Sequence, residues 1–451
     1  MRKRIISILL IALLTTTGCG AKTPQPDFDA AAGLPALSSQ EPVAGEPGAS
    51  SLESSAAGPG QSSLEPATKD PTASEPGTSY PDPVGPGFQD PAAVEPGTSS
   101  PDPVAPASPQ VTLLMVGDIL LHVPVEKSAK REDGSYSYDA IFEHTKDLIS
   151  EADLALVNQE VILGGTELGI SGYPAFNAPY EVGDDLAEAG FDVICHATNH
   201  ALDKGKAGVV NCLRYWESAH PEIQVLGIHD APDDPLFIYE KDGMKIAFLN
   251  YTYGTNGIAL PQDMPYAVDL LSKEKVIADI QYAESVADFT VVCPHWGTEY
   301  RLTADASQAK WTKLFLENGV DLVLGTHPHV IEPVEMLTDE ESGHSMLVYY
   351  SLGNFVNWTS SSGSGIANRM VGGMAGVTLE RGDDGNVFIA DYDVTALVCH
   401  LTPGQDGVTT WPLASYNEEL AAENSICSQD PAFSYAYCTN LCNEVWGDLW
   451  K

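Results

Sequence analysis

The hydrophobic positions between residues 111 and 329 form short continuous runs, and each run leads into polar residues. Five such stretches end in or contain Asp, Glu, Asn or His near their last positions, and they lie at 111–118, 152–160, 191–200, 288–296 and 320–329. Continuous apolar runs of this kind are typical of strands that are buried on both faces of a sheet. The pattern therefore predicts five buried strands, each followed by a polar turn.

The segments between these strands carry apolar residues at helical spacing. Helices are predicted at 138–152, 206–218, 272–287 and 306–318. Helices that alternate with buried strands indicate a mainly parallel sheet with helices on both sides, so the predicted fold class is α/β. Ligands of such sheets bind beyond the carboxyl ends of the strands, which is where the polar residues lie.

The pattern changes after residue 355. A β-hairpin is predicted at 377–390, around a Gly-Asp-Asp-Gly turn. We expect the main domain to span 110–398 and a separate C-terminal extension to span 399–451. The C-terminal extension contains four cysteines, Cys399, Cys427, Cys438 and Cys442. In an extracytoplasmic protein they could form one or two disulfides.

The N-terminus has the pattern of an export signal. Arg2, Lys3 and Arg4 precede an apolar run at 5–14, and a run of about ten residues is too short to span a bilayer. The next residues, 16–19, resemble a bacterial lipobox. We therefore expect a lipoprotein signal peptide at 1–18, a lipid anchor on Cys19 and an extracytoplasmic protein attached to the cell membrane. A plain secretory signal with an incidental cysteine is the alternative.

Residues 19–109 have a different composition, dominated by Pro, Gly, Ser, Ala and Glu. Such a segment buries too little apolar surface to offset the entropy of ordering, so it is predicted to be a disordered, acidic stalk. It contains a near-repeat, since 75–84 recurs at 95–104. A spacer between membrane and domain is the favoured interpretation, and a binding role for the repeats is the alternative.

The charge of the chain excludes one class of partner. With 22 basic and 63 acidic residues, the formal net charge is −41. Too few Lys and Arg are available to neutralise phosphates, so nucleic acid is not expected as a partner. Contact with the membrane is expected through the lipid anchor, because an acidic protein is repelled by an anionic bilayer surface.

The polar residues at the strand ends combine carboxylate, amide and imidazole groups. Such donors suit Mn, Fe or Zn, and two ions about 4 Å apart can clamp a phosphoryl group. In chain order they resemble the calcineurin-like metallophosphoesterase signature, and more closely the CapA (poly-γ-glutamate capsule synthesis) family. The matching motifs are Gly117-Asp118, Asn158-Gln159-Glu160, Thr198-Asn199-His200-Ala201-Leu202-Asp203, His295-Trp296-Gly297, Gly325-Thr326-His327-Pro328-His329 and Tyr350-Ser351-Leu352-Gly353-Asn354-Phe355.

The resemblance implies a four-layer-type, metallophosphoesterase-like sandwich and a set of site residues. It assigns Asp118 and His329 to a first divalent ion, with Glu160 as the bridging ligand. It assigns the second ion to three residues, and these are Asn199, His295 and His327. His200 would be the catalytic acid or electrostatic partner. Supporting or substrate-contacting roles would fall to Asn158, Asp203, Trp296, Glu299 and Asn354.

One departure from the superfamily pattern bears on the number of ions. The histidine of Asp-x-His is missing, since Ile119 and Leu120 follow Asp118 and the next histidine is His122. One ion or two are therefore both compatible with the sequence, and phosphatase turnover is placed in doubt.

Each candidate also has an ordinary structural explanation. Asn199 and His200 could cap a helix, and Asp118 could belong to a Gly-Asp turn. Trp296 could serve loop packing as well as line a cleft. The joint occurrence of so many such residues at successive strand ends favours a metal site over these explanations.

The family resemblance implies a role in the synthesis or export of a capsule polymer such as poly-γ-glutamate, within a polymer-synthesis complex at the membrane. The scarcity of Lys and Arg is awkward for binding such an anionic polymer. Two alternatives stay open: an extracellular metal-dependent phosphoesterase acting on a phosphorylated envelope substrate, and a non-catalytic binding module on the same fold.

Overall fold

The computed structural model describes residues 109–232, 234–404 and 406–451. The signal peptide at 1–18, the lipidation site at Cys19 and the stalk at 19–109 fall outside these residues, apart from position 109 itself. None of the helices in the described part combines the length and the apolar character that crossing a membrane requires.

Two β-sheets form the centre of the domain. The first has seven strands in the order β14 (Val408–Pro412), β13 (Val387–Leu401), β12 (Val371–Arg381), β1 (Gln110–Leu120), β2 (Leu154–Gln159), β3 (Val193–Cys195) and β4 (Gln224–Leu226), and an eighth, β11 (Asn354–Asn357), pairs with the end of β1. The neighbours β1, β2, β3 and β4 are parallel, and β12, β13 and β14 are antiparallel. The predicted hairpin at 377–390 is confirmed by β12 and β13, which are longer than predicted.

The second sheet has six strands. Their order is β5 (Phe237–Lys241), β6 (Met244–Thr252), β7 (Phe289–His295), β8 (Leu322–Leu324), β10 (Ser345–Tyr349) and β9 (Val334–Thr338). The inner strands β6, β7, β8 and β10 are parallel, and the two outer strands are antiparallel to their neighbours. The predicted α/β class with mainly parallel buried strands is therefore confirmed.

Nine α-helices connect or flank these strands in the described part. They are α1 (Val123–Ala129), α2 (Asp139–Phe142), α3 (Lys146–Ser150), α4 (Glu181–Ala189), α5 (Gly205–Ala219), α6 (Lys273–Val286), α7 (Ala306–Glu317), α8 (Glu418–Glu423) and α9 (Tyr435–Trp446). The predictions for α5, α6 and α7 are confirmed to within one residue at each end.

The single helix predicted at 138–152 is wrong, because the chain forms the two short helices α2 and α3 there. Thr145 separates them. Its backbone N–H and its hydroxyl both donate to the carbonyl of Phe142, at 2.9 and 3.3 Å. A hydroxyl that bonds the local backbone competes with the helical pattern and favours a break.

The two faces of the second sheet explain the layering. Along β6, Ile246 and Phe248 point into the core shared with the first sheet. Ala247 and Leu249 point the other way, into a second core that includes Phe315 of α7. Alternate side chains of a strand face opposite sides of a sheet, so the second sheet lies between the first sheet and the helices α6 and α7. The crossover helices α4 and α5 connect parallel neighbours of the first sheet and complete four layers.

The residues after 398 belong to the same core. The expected domain boundary at 398/399 falls inside β13, and β14 extends the first sheet beyond it. Cys399, Cys438 and Cys442 are buried. All cysteines of the described part are free thiols, so the disulfides that the sequence would allow are not formed there. A buried free cysteine packs as a small hydrophobic side chain, so these cysteines contribute to the core without forming a disulfide.

A buried acid in α1 makes the stability of the fold depend on pH. The carboxyl of Glu126 accepts a hydrogen bond from Tyr138, yet its other oxygen has no partner among the described residues. Burial raises the pKa of Glu126 to about 8. The folded state therefore binds a proton that the unfolded state has lost, and this contribution to stability is present below about pH 4.5 and is lost as the pH rises through about 8.

Replacing Glu126 by glutamine is expected to stabilise the domain in alkaline solution. The amide keeps an acceptor for Tyr138 and carries no charge to desolvate. We expect a gain of about 3–5 kcal/mol in the free energy of unfolding at pH 8, and little change at pH 4.5, because the pKa is displaced from 4.5 to about 8 and each pKa unit represents about 1.4 kcal/mol. Urea unfolding at both pH values measures it, with the exposed Glu143→Gln as control. Equal gains at the two pH values would contradict the assignment.

Candidate metal centre

The predicted ligands come from the ends of strands in both sheets. Asp118 lies near the end of β1 and Glu160 directly follows β2, both in the first sheet. His295 is the last residue of β7 in the second sheet, and His327 and His329 follow β8. Because the two sheets face each other, their strand ends meet at one edge. All of these side chains are buried there.

Two groups of three residues meet at Glu160. The first contains Asp118, Glu160 and His329, and the second contains Glu160, His295 and His327. Within each group the candidate ligand atoms all lie within 4.8 Å of one another. The Glu160 carboxylate lies between two imidazoles, since its Oε1 is 3.6 Å from Nε2 of His329 and 3.8 Å from Nε2 of His295. This places Glu160 where the sequence resemblance puts a bridging ligand.

Asn199 joins the second group. Its Oδ1 lies 2.9 Å from Nε2 of His295. All six residues that the sequence assigns to metal are therefore brought together, and they are divided between the two groups as the resemblance implies. His122 belongs to neither group. The first group thus has three protein donors and the second has four.

The polar atoms of these groups fit a cation better than they fit each other. Glu160 is 0% exposed, and within the described part both of its carboxylate oxygens lack a hydrogen-bond partner. Nδ1 of His327 is likewise buried without a partner there. A buried polar atom without a partner costs about 1–3 kcal/mol, and more if it is charged. Carboxylate and imidazole donors that converge in this way suit a divalent ion of the Mn, Fe or Zn class.

Electrostatics in the absence of metal reflect the same crowding. Burial raises the pKa of Glu160 well above its usual range. Burial, together with the neighbouring histidines, holds the pKa of His295 and His327 well below theirs. For His329 burial acts downward, but the carboxylates of Glu160 and Asp118 outweigh it and raise the pKa to about 9. A cation between these groups would relieve the desolvated carboxylate and use the lone pairs of the neutral imidazoles.

The loop that carries two of the histidines has an unusual backbone. His327 and His329 have φ angles of +101° and +58°, which residues other than glycine rarely adopt. The N–H of His327 points at the Oδ1 of Asp118, 3.4 Å away. Backbone in such a conformation persists where its surroundings hold it, and it is concentrated at functional sites. Here it turns both imidazoles toward Glu160.

Two of the residues predicted to support the site or contact substrate, Asn158 and Asn354, are hydrogen-bonded to candidate ligands. The amide nitrogen of Asn158 donates to Oδ1 of Asp118 at 2.8 Å and lies 3.4 Å from Nδ1 of His295. Asn354 contacts His329 twice, because its Oδ1 is 3.2 Å from the imidazole Nδ1 and its Nδ2 donates to the backbone carbonyl at 3.0 Å. Asp118 Oδ2 is the other partner of that Nδ1, at 3.0 Å. The Nε2 of His329 is thereby left facing Glu160.

Removing one of these supports is expected to weaken metal binding without abolishing it. Partners that orient a ligating histidine typically contribute about 10–100-fold to metal affinity. We expect Asn354→Ala to lower the affinity of the first group by this factor. We expect Asn357→Ala, at a buried asparagine of the cleft that is hydrogen-bonded to none of the ligand residues, to leave it unchanged. Titration with a chelator that competes for the ion measures the affinity. Identical affinities of Asn354→Ala and wild type would contradict the supporting role.

His200 is held in place by its own partners. Its Nδ1 lies 2.6 Å from Oδ2 of Asp203, and its ring packs edge-on against Phe176. The same carboxylate oxygen accepts from the backbone N–H of Phe176 at 2.7 Å. Asp203 therefore fixes the imidazole and leaves Nε2 as the nitrogen that can exchange a proton. Asn256, which no sequence signal marks, lies 3.3 Å from both Asn199 and His200.

The two remaining candidates lie in different surroundings. Trp296 is fully buried, donates from its indole to the carbonyl of Tyr350 at 2.9 Å and packs against Phe315. Trp296 belongs to the second core, so its role is packing and it does not line a cleft. Glu299 is exposed and lines a cleft of about 420 Å³ beside His329.

Other residues besides Glu299 and His329 line that cleft. His122, Tyr300 and Arg369 line it together with Leu120. Burial lowers the pKa of His122 to about 4, so its imidazole is neutral at physiological pH. The cleft gives a substrate access to His329 and so to the first ligand group.

Comparison with known proteins identifies the family. The model of the bacterial capsule synthesis protein family PGA_cap matches residues 112–359. The PGA biosynthesis protein CapA of Bacillus subtilis (strain 168) is 28% identical over 269 residues, which cover 56% of this chain and 65% of that protein. The capsule biosynthesis protein CapA of Bacillus anthracis is 26% identical over 274 residues, which cover 57% and 63%. The chain thus matches slightly less than two thirds of the length of each relative.

Similarity to solved structures is remote. The NAD nucleotidase NadN of Haemophilus influenzae matches with a TM-score of 0.42 and 13% identity, over 65% of this chain and 58% of that one. A 5'-nucleotidase precursor of Thermus thermophilus matches with a TM-score of 0.40 and 14% identity, over 64% and 54%.

The family model covers more than half of the 451 residues and includes every ligand candidate from Asp118 to His329. The resemblance inferred from the strand-end motifs is thereby confirmed. This chain belongs to the bacterial capsule synthesis protein family PGA_cap.

Proposed function

We propose that this protein is a surface lipoprotein that acts in the synthesis or export of an anionic capsule polymer of the poly-γ-glutamate type, through a divalent-metal site centred on Glu160. Membership of the PGA_cap family and the names of the two relatives support the capsule role. The signal-like N-terminus, Cys19 and the Pro-rich stalk support a location at the outer side of the cell membrane, beside a membrane complex that makes the polymer.

The observation that carries the metal site is the position of Glu160. One buried carboxylate with two unpartnered oxygens, among the residues that the structure describes, lies between two groups of imidazole and carboxylate donors. Asp118 and His329 would hold one ion with it, and Asn199, His295 and His327 would hold the other. Bound ions of this class act as Lewis acids that stabilise negative charge on a substrate. The chain's own contribution is to orient these donors and to hold a proton at Nε2 of His200.

A second function is favoured by the pairing of His200 with Asp203. An imidazole fixed by a carboxylate, beside a metal centre, is the arrangement needed to protonate a leaving group. This pairing supports a metal-dependent phosphoesterase that acts on a phosphorylated envelope component. A non-catalytic binding module would have no use for it.

Three measurements on the purified protein test these proposals. Elemental analysis gives the metal content, calorimetry gives the binding of poly-γ-glutamate with and without a chelator, and a generic phosphodiester gives turnover. Bound metal together with chelator-sensitive polymer binding would support the capsule role. Turnover that is lost in His200→Ala, without loss of metal, would favour the phosphoesterase. A protein that takes up no divalent ion would contradict the site itself.

Deletion of the gene in its own strain tests the capsule role directly. We expect the amount of surface polymer to fall, and to be restored by the wild-type gene but not by a gene that carries Glu160→Gln. An unchanged amount of polymer would contradict the capsule role and leave the metal site standing.

A further inference from the structure

One cation in the cleft beside the metal centre has no acidic partner in the described part of the chain. Arg369 lies in a short 3₁₀ helix, Ala367–Met370, and its side chain lines the cleft. Among the described residues no carboxylate comes within 4.0 Å of its guanidinium, and its buried Nε has no hydrogen-bond partner. In a chain with 63 acidic and 22 basic residues, such a cation is poorly explained by surface charge alone.

An aromatic ring holds the guanidinium in place. The Cζ of Arg369 lies 3.6 Å from the centroid of the Tyr300 ring, a close cation–π contact. Stacking of this kind occupies a face of the planar guanidinium and leaves its N–H groups pointing outward along the edge. Those edge N–H groups match the two oxygens of a carboxylate or phosphate, which lysine cannot match in the same way.

Both members of this pair are tied to the residues around His329. The backbone N–H of Tyr300 donates to the carbonyl of Pro328 at 2.8 Å, and Tyr300 itself has a φ of +66°. On the other side, the backbone carbonyl of Arg369 accepts from Asn354, the residue that supports His329, at 3.0 Å. The guanidinium is therefore held in a defined position relative to the first ligand group.

Apart from the exposed carboxylate of Glu299, the lining of the cleft suits an extended anionic ligand. Besides His329 and Arg369, the cleft is lined by three residues with hydroxyl groups, Thr359, Ser360 and Ser361. With a volume of about 420 Å³, the cleft has room for a second small group of a substrate whose first group would lie at the candidate ligands. A charged guanidinium in the same cleft as a cation site would recognise a second negative group of the same substrate.

We propose that Arg369, stacked on Tyr300, is the oxyanion-recognising group of the candidate metal centre, and that it binds a carboxylate or phosphate adjacent to the group placed at Glu160 and His329. This inference rests on the proposed function, because it presumes a substrate at the metal centre. It also accounts for how a strongly acidic protein binds an anionic chain: a single fixed guanidinium replaces a broad basic surface.

The test compares Arg369→Lys with wild type in the full chain. The probes are a short γ-linked glutamate oligomer and inorganic phosphate, with binding measured by calorimetry at low salt. Because charge-assisted hydrogen bonds are the strong ones and lysine cannot form the bidentate pair, we expect roughly 10–100-fold weaker binding of at least one probe. Arg381→Lys, at a half-buried arginine that pairs with Asp288, is the matched control and is expected to bind like wild type.

The outcomes separate the ligand and the two proposals. Weaker binding of the glutamate oligomer alone identifies a carboxylate, and weaker binding of phosphate alone identifies a phosphate. Equal binding by Arg369→Lys and wild type, or no binding of either probe to wild type, overturns the inference. Metal content is measured on the same samples. Either of these two results with metal present counts against this inference alone, whereas absence of metal counts against the proposed function.

A second substitution tests the stacking. Tyr300→Phe keeps the ring and is expected to bind as wild type does, and Tyr300→Leu is expected to weaken binding as Arg369→Lys does. Unfolding temperatures of the variants show whether each is folded. If Tyr300→Leu is folded and binds as wild type does, the ring does not position the guanidinium.

Discussion

Glu160→Gln is expected to abolish metal binding at both ligand groups while leaving the fold intact. Both groups contain this carboxylate, so a single substitution weakens each of them. An amide offers one neutral oxygen in place of two charged ones, and ions of the Mn, Fe or Zn class bind it far less well. The fold loses no hydrogen bond of this carboxylate in the described part of the chain, although His329 loses a nearby negative charge. Removing its charge relieves a desolvation cost.

Elemental analysis and thermal unfolding measure this prediction together. A ligand present at about 100 times its Kd stabilises a folded protein by about 2.7 kcal/mol, so wild type should unfold at a clearly lower temperature after a chelator is added. Glu160→Gln should contain no more than trace metal and should not respond to the chelator. The control is Glu299→Gln, an exposed carboxylate of the same cleft, which should keep its metal. Full metal occupancy in Glu160→Gln would show that Glu160 is not a ligand.

Gly117→Ala is expected to be the most damaging single-methyl change near the site. A Cβ at this position would lie 1.9 Å from the backbone carbonyl oxygen of Gly353, so one of the two backbone segments would have to shift. The adjacent N–H of Asp118 donates to that same oxygen at 2.9 Å, so separating the chains breaks this bond and shifts Asp118. We expect a loss of about 3 kcal/mol or more in the free energy of unfolding, at the upper end for overpacking, and a weaker first ligand group.

Urea unfolding and metal titration measure the effect of Gly117→Ala. The control is Gly254→Ala, since a Cβ there meets nothing within 4 Å and the backbone is not left-handed. This control should unfold within about 0.5 kcal/mol of wild type, as most surface substitutions do. If Gly117→Ala were as stable as its control, the close approach of β1 to Gly353 would not be a constraint on the fold.

The sequence pattern was sufficient to find the residues that converge at the candidate site. Parallel strands end at the same edge of a sheet, so polar residues at successive strand ends meet in space even though they are far apart in the chain. This holds for Asp118, Glu160 and His295. Asn158 lies in the strand that leads to Glu160, so the same pattern marks it, whereas Asn354 was assigned from the family resemblance.

Residues whose role depends on tertiary packing were not predictable in this way. Trp296 follows a candidate ligand directly, yet the strand alternation turns it into the second core. Arg369 is distant in sequence from Asp118, Glu160 and the histidines, and only the fold brings it against Tyr300. The break of the helix at 138–152 depends on one side chain, Thr145, whose hydroxyl finds a local acceptor. Periodicity carries no information about such contacts.

The boundary of the C-terminal segment was also not predictable from sequence, because a cysteine cluster with little periodicity suggested a separate unit. In the structure the strand β13 crosses the expected boundary. The helix α9 packs into the main core, and the backbone of Lys451 pairs with Val394 and Ala396 of β13. Cys438 and Cys442 are buried residues of this helix, so these two cysteines of the C-terminal group belong to the main core.

The contact of α9 with the rest of the domain has a consequence for biosynthesis. The indole of Trp446 donates to the backbone carbonyl of Glu332 at 3.0 Å, three positions after His329. The helix α9 therefore buttresses the loop that holds the histidines. Chains fold from the N-terminus as they emerge, but this loop gains its support only when synthesis has passed residue 446. This support of the centre therefore forms later in synthesis than the strands that carry its candidate ligands.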